Sequence, residues 1–162
     1  MHIVMVEPEI PGNTGNIARL CAANHIMLHL VKPLGFSLEN KYLKRAGLDY
    51  WPLVDVKIHE NFEEVQKKYE GHRFFYLTTK SEQCYADIRF EKDDLLVFGK
   101  ETKGLPECLL KQYPEFCFRI PMADKARSLN LSNSVAIVSY EALRQLDFPD
   151  MSKCGIGIKN LK

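Results

Sequence analysis

The chain has 162 residues, 46% of them hydrophobic and 27% charged, the proportions of one soluble domain with a single sizeable core. With 22 Lys and Arg against 21 Asp and Glu the net charge is +1, so a nucleic-acid partner is neither demanded nor excluded, and any cationic footprint must be a local patch. Five scattered cysteines, never spaced as CxxC, exclude a disulfide frame or a zinc site and suit reduced thiols.

HIVMVE (2–7) predicts a first strand that leaves no room for a signal peptide ahead of it. No apolar run reaches the length of a membrane span, so a cytoplasmic protein without a membrane partner is expected. A Pro/Gly/Asn loop follows, then a helix over about 14–24. MLHLVK (27–32) reads as a second strand and LENKYLKRAG (38–47) as a short basic helix. VDVKIH (54–59) is a third strand, and NFEEVQKKYEG (61–71) an amphipathic helix that opens on an Asn cap and closes on Gly. RFFYLTT (73–79) and DLLVFG (94–99) are continuous apolar runs, the pattern of strands buried on both faces. LPECLLKQY is a short helix and FCFRIPM (116–122) a last strand. A closing helix is legible from Val135. This alternation predicts an α/β fold, a mostly parallel sheet with helices on both faces. One domain over 1–148 is expected, with a loosely held tail over 149–162.

In such a sheet, ligands bind in the crevice beyond the carboxyl ends of the strands. Three polar, glycine-bearing loops fall there: EPEIPGNTGNIAR (7–19), FGKETKGLP (98–106) and IPMADKARSLNLSNS (120–134). None has the spacing of a dinucleotide fingerprint or a P-loop. PGNTGN can be a tight turn plus helix cap, or part of a site. Arg19, one turn into the helix, can meet a phosphate or carboxylate, or form a surface ion pair. Glu101 can fold back onto backbone N–H groups and organise its loop, or act as a base. Ser128, Asn130, Ser132, Asn133 and Ser134 crowd seven residues where one helix cap needs one such side chain. Their hydroxyls and amides suit a neutral, hydroxyl-rich, aromatic ligand better than a polyphosphate. His25 and His29 are four apart, but His29 lies in a strand pattern, so no metal site is expected. Lys41, Lys44 and Arg45, with Tyr42, form a basic-aromatic cluster that is either a solvated helix face or a contact to phosphates and bases.

NTGNIAR (13–19), FGKETKGLP (98–106) and RSLNLSNSVAIVSYEA (127–142), in that order and spacing, resemble the motifs of the SpoU branch of the SPOUT methyltransferases. EPEIPGNTGNIARLCAA and KRAGLDYW (44–51) are most similar to its minimal members, the tRNA wobble-nucleotide 2'-O-methyltransferases. The resemblance, which spans residues 2–148, implies S-adenosylmethionine as methyl donor, tRNA as substrate, a homodimer and a trefoil knot in the C-terminal half. It implies cofactor-binding roles for Leu77, Gly99, Ile120, Ser128 and Leu129, with catalytic roles for Arg19, Glu101 and Asn133. Arg19 would act across the dimer and touch the RNA, where Lys41, Lys44 and Arg45 would join it if their cluster is a contact rather than a solvated face. Because a free guanidinium has a pKa above about 12, Arg19 is expected to position the ribose or a phosphate rather than take a proton. Tyr140 resembles a dimer contact, and Lys100 departs from the Pro or Ser common there. The expected reaction is methylation of the wobble ribose, of cytidine or modified uridine, in leucine tRNAs. The alternatives are a 2'-O-methyltransferase for another RNA site and a non-catalytic cofactor- or RNA-binding module on the same fold.

Overall fold

The computed structural model describes residues 1–38 and 53–158. The predicted basic helix (38–47), from residue 39 on and with Lys41, Tyr42, Lys44 and Arg45, therefore lies outside the described residues. Among those described, six strands form one sheet in which every pairing is parallel. They are β1 (His2–Val6), β2 (Met27–Val31), β3 (Val56–His59), β4 (Phe74–Leu77), β5 (Leu95–Phe98) and β6 (Cys117–Phe118). Their spatial order is β3-β2-β1-β5-β4-β6.

The α-helices among the described residues are α1 (Pro11–Asn24), α2 (Phe62–Lys68), α3 (Glu107–Gln112) and α4 (Leu131–Gln145). They cover both faces because the strands are apolar on both. Ile3, Met5, Leu96 and Phe98 pack with Ile17 and Cys21 of α1 and with Val135, Val138 and Ala142 of α4. The intervening Val4, Val6, Leu95 and Val97 face Phe62 and Val65 of α2, with Leu109 and Leu110 of α3 beside them. That period-two division is what a doubly covered parallel sheet requires.

Three of the element boundaries that differ from the sequence expectation bear on the site. α1 begins at Pro11, not near residue 14, so all six residues of PGNTGN are helix. Proline at the first helical position is preset for the helix and lacks an N–H that would be orphaned there. α4 begins at Leu131, four residues before Val135, because Asn130 is its cap: the side-chain oxygen accepts from the N–H groups of Ser132 and Asn133. β6 keeps only two of the seven expected residues.

A row of histidines, His29 and His59 buried and His2 half-buried, crosses β1, β2 and β3. His2 Nδ1 lies 3.0 Å from His29 Nε2, and His29 Nδ1 lies 3.0 Å from His59 Nε2. Tyr69 covers the row, its ring centroid 4.8 Å from that of His2 and 5.1 Å from that of His29. Burial pushes His29 down to about 3 and His2 down to about 4, and neighbouring positive charge adds to both; burial also lowers His59. The unfolded chain therefore binds more protons than the folded one once pH falls below about 6.5. The histidines should contribute no slope above that pH and lower stability toward pH 5 by about 1.4 kcal/mol per pH unit for each one involved, while burial of the Met1 amino group adds a shallower fall that begins near pH 8. Urea denaturation at pH 7.5, 6.5, 5.8 and 5.2 reads this directly. An unchanged free energy down to pH 5.2 would contradict neutral burial of the row.

Candidate active site

The strand order reverses between β1 and β5, and the loops that leave their carboxyl ends meet there. A network of polar contacts locks them together. The Glu101 carboxylate accepts from the backbone N–H of Glu9 at 2.8 Å, the N–H of Ile10 at 3.2 Å and Asn13 Nδ2 at 2.9 Å. Ile10 is the cap residue of α1 and offers no capping side chain. Glu101 fills that role from another loop, placing a negative charge at the positive end of the helix. The Glu9 carboxylate returns the contact, accepting from the Thr102 N–H at 3.1 Å and hydroxyl at 2.8 Å. Lys100 pairs with Glu7 at 2.5 Å, and that hydrogen bond raises the Lys100 pKa. The departure at position 100 thus adds one more tie between the same two loops.

The third loop joins through asparagines. Asn130 Nδ2 donates to Asn13 Oδ1 at 3.0 Å, so one chain of contacts runs from Glu101 through Asn13 and Asn130 to the start of α4. The Ser132 hydroxyl donates to Asn130 Oδ1, and the Ser134 hydroxyl donates to the Asn130 carbonyl. These contacts account for much of the Ser/Asn crowding.

The three loops enclose a cavity of about 560 Å³ beyond the ends of β4, β5 and β6. Leu77, Gly99, Ile120, Ser128, Leu129 and Glu101 all line it. Gly99 admits no side chain: a Cβ there would lie 2.1 Å from the Gly104 carbonyl carbon and 2.2 Å from the Leu105 nitrogen. Lys100 and Gly104 close the intervening loop through the Gly104 N–H and Lys100 carbonyl at 2.8 Å, with Gly104 at a φ of 69°. The wall combines backbone at Gly99 and Gly104 and apolar side chains such as Leu77, Ile120 and Leu129 with hydroxyl, amide and charged side chains, a mixture suited to a flat heterocycle and a ribose.

Two expected site residues lie apart from this cavity. Asn133 is exposed on the first turn of α4, its N–H turned to Asn130, and Arg19 is exposed on α1; neither is among the described lining residues. Tyr140 is 47% exposed on α4, its hydroxyl 3.4 Å from Asn24 Oδ1 on α1. Sequence reasoning did not single out Glu7, Glu9, Asn13 or Thr102, although Glu9, Asn13 and Thr102 complete the network around Glu101. Only the loop motifs that contain them signalled the site.

The model of the SpoU rRNA methylase family matches residues 1–140. A tRNA (cytidine(34)-2'-O)-methyltransferase of Methylovorus glucosotrophus is 55% identical over 147 residues, covering 90% of this chain and 96% of that protein. A solved structure described as giving insights into the 2-OH methylation of C/U34 on tRNA is 46% identical, with a TM-score of 0.85 over 90% of this chain and 95% of that one. An AdoMet-bound rRNA methyltransferase from Sinorhizobium meliloti is 25% identical, with a TM-score of 0.77 over 90% of this chain and 56% of that one.

Proposed function

The chain belongs to the SpoU rRNA methylase family, and from that membership we propose that it moves a methyl group from S-adenosylmethionine to the 2'-oxygen of the wobble ribose of tRNA. The substrate nucleotide is cytidine or modified uridine, in leucine tRNAs. The observation that carries this reading is the meeting of all three motif loops at one cavity, with no space for a side chain at Gly99.

The residues present fit the cofactor. Leu77, Ile120 and Leu129 offer apolar walls for the adenine, and the backbone of the 99–104 loop approaches closely because position 99 has no Cβ. Ser128 supplies a hydroxyl at the same cavity. When bound, the cofactor supplies an electrophilic methyl group on a sulfonium. The protein's task is to hold the ribose hydroxyl in line with it, and alignment of that kind supplies a large part of a rate enhancement. Glu101 holds the loops that form the cavity. Arg19 of the partner subunit, assisted by Asn133, orients the ribose or its phosphate. The exposure of Arg19 and its place outside its own subunit's cavity support a role across a dimer. Ile137 and Tyr140, exposed on α4, supply the apolar part of that contact. Lys41, Lys44 and Arg45 extend the RNA contact. A cytoplasmic enzyme follows, with one catalytic domain over 1–148, a short tail and a knotted C-terminal half.

The decisive experiment is methyl transfer from labelled S-adenosylmethionine to total cellular tRNA, followed by nucleoside mapping, with Arg19→Ala as a parallel sample. The expected result is label on the 2'-oxygen of the wobble nucleotide of leucine tRNAs, and none with Arg19→Ala despite retained cofactor binding. Label elsewhere on tRNA overturns the site assignment. Cofactor binding without label on any RNA supports a non-catalytic module.

A further inference from the structure

The charged residues lining the cavity are Lys80, Lys100, Glu101, Lys103 and Arg127, four cations and one carboxylate. Two cations are neutralised by acids from neighbouring elements: Lys100 by Glu7, and Lys80 by Glu107, each at 2.5 Å. The Glu101 carboxylate is spent on the donors at the start of α1. The nearby Glu9 carboxylate is spent on Thr102. Lys103 and Arg127 are the remainder. Both side chains are exposed, and neither has a hydrogen bond or ion pair among the described residues. They come from two different loops that share the cavity wall, so one cavity presents two uncompensated positive charges at its mouth.

A site of this sign calls for an anion. The methyl donor does not supply it: a sulfonium and an ammonium against one carboxylate leave that molecule with a net positive charge, which two further cations would repel. The other ligand of the proposed reaction is a polyanion. We propose that Lys103 and Arg127 are positioning residues that hold backbone phosphates flanking the methylated ribose, so that the nucleotide enters the cavity in register. The proposal rests on the RNA-methylating reading above. It adds a second cationic contact to the one assigned to Arg19, contributed by the subunit that binds the cofactor rather than by its partner. Phosphate contacts fix register and orientation without reading bases, which is what an enzyme acting on one ribose oxygen needs from them.

The test uses the full chain with end-labelled total tRNA as probe. Dissociation constants are measured at a series of salt concentrations for wild type, Lys103→Gln, Arg127→Gln, the double variant, and the charge-preserving Lys103→Arg and Arg127→Lys. Affinity for S-adenosylmethionine is measured on the same samples by calorimetry. Each Gln variant is expected to weaken tRNA binding roughly threefold to tenfold and to flatten the slope of log K against log salt by about 0.7, the value for one single-strand phosphate contact. The double variant should lose both increments, the charge-preserving variants should keep the slope, and cofactor affinity should stay within about twofold of wild type. Weakened cofactor binding with an unaltered salt slope overturns the proposal in favour of a contact to the cofactor's carboxylate. An unaltered slope with unaltered cofactor affinity overturns it outright. Should wild type itself fail to bind tRNA, the RNA-methylating reading falls, and this inference falls with it.

Discussion

Gly99→Ala is expected to abolish S-adenosylmethionine binding while the chain still folds. The added carbon would sit 2.1 Å from the Gly104 carbonyl carbon, 2.2 Å from the Leu105 nitrogen and 2.5 Å from the Gly104 oxygen. All three are backbone atoms, so no rotamer change relieves the clash. The 100–104 loop must move outward by more than an ångström, and it is held in two places: its ends are joined by the Gly104–Lys100 backbone hydrogen bond, and its middle is tied through Thr102 to Glu9. Leu105, directly after it, is buried in the core under α2 and α3. Displacement of this loop reshapes the cavity wall beside Leu77 and Ile120. We expect cofactor affinity to fall by more than about 100-fold, roughly 3 kcal/mol. Stability should fall by about 2–4 kcal/mol, as overpacking against a fixed backbone does. Calorimetric titration alongside thermal denaturation separates the two. A folded variant that binds the cofactor within threefold of wild type would show that the Gly99 approach does not shape the site.

Glu101→Gln is the second large effect, and it distinguishes a loop organiser from a general base. The glutamate uses both oxygens: Oε2 accepts from Glu9, while Oε1 accepts from Ile10 and Asn13. Glutamine keeps one acceptor oxygen. Whichever way its amide is turned, an NH2 group faces an N–H donor. The substitution also removes the negative charge from the start of α1, worth about 0.3–1 kcal/mol, and weakens charge-assisted hydrogen bonds worth about 1.5–3 kcal/mol each. These contributions are not additive, and about 3 kcal/mol in aggregate is a fair expectation. For a chain of this size that lowers Tm by roughly 6–10 °C. Methyl transfer should fall on the order of 100-fold because two loops of the cavity lose their tie. The pH dependence of the residual rate should keep the shape of the wild-type profile. A base would behave differently: Tm would hold, and the acidic limb of the profile would vanish.

How much was legible beforehand depended on the range of the interaction involved. The strands at Leu95–Phe98 and Phe74–Leu77 were readable because burial on both faces leaves a continuous apolar run, and each run lies where a strand was expected. The α/β class followed from alternation alone. The start of α1 was misplaced because its capping group, Glu101, lies 91 positions from the Ile10 N–H that it satisfies. No local pattern can announce a cap that distant. The start of α4 was misplaced for a different reason. Asn130 is a conventional cap, but Ser128, Ser132, Asn133 and Ser134 around it are equally capable by composition. Geometry chose among them: only Asn130 also reaches Asn13.

The site divides along the same line. That three loops would converge followed from the rule for parallel sheets. Which residues in them were of interest came from a family resemblance, since neither periodicity nor spacing distinguishes Leu77 or Ile120 from any other apolar residue. The sequence by itself determined the sheet, its two apolar faces, the place of the crevice and the chemical character of the loops around it. These are properties of hydrophobic period and of residues with particular backbone preferences, which act within a few positions. Only the tertiary structure decided that Glu101 spends its charge on the start of α1, that Gly99 has backbone against it, and that among the described residues Lys103 and Arg127 are left without acids while Lys80 and Lys100 are not. Hydrogen bonds, steric contacts and charge compensation act over a few ångströms of space. The chain brings residues that are 90 or more positions apart to within that range only once it has folded.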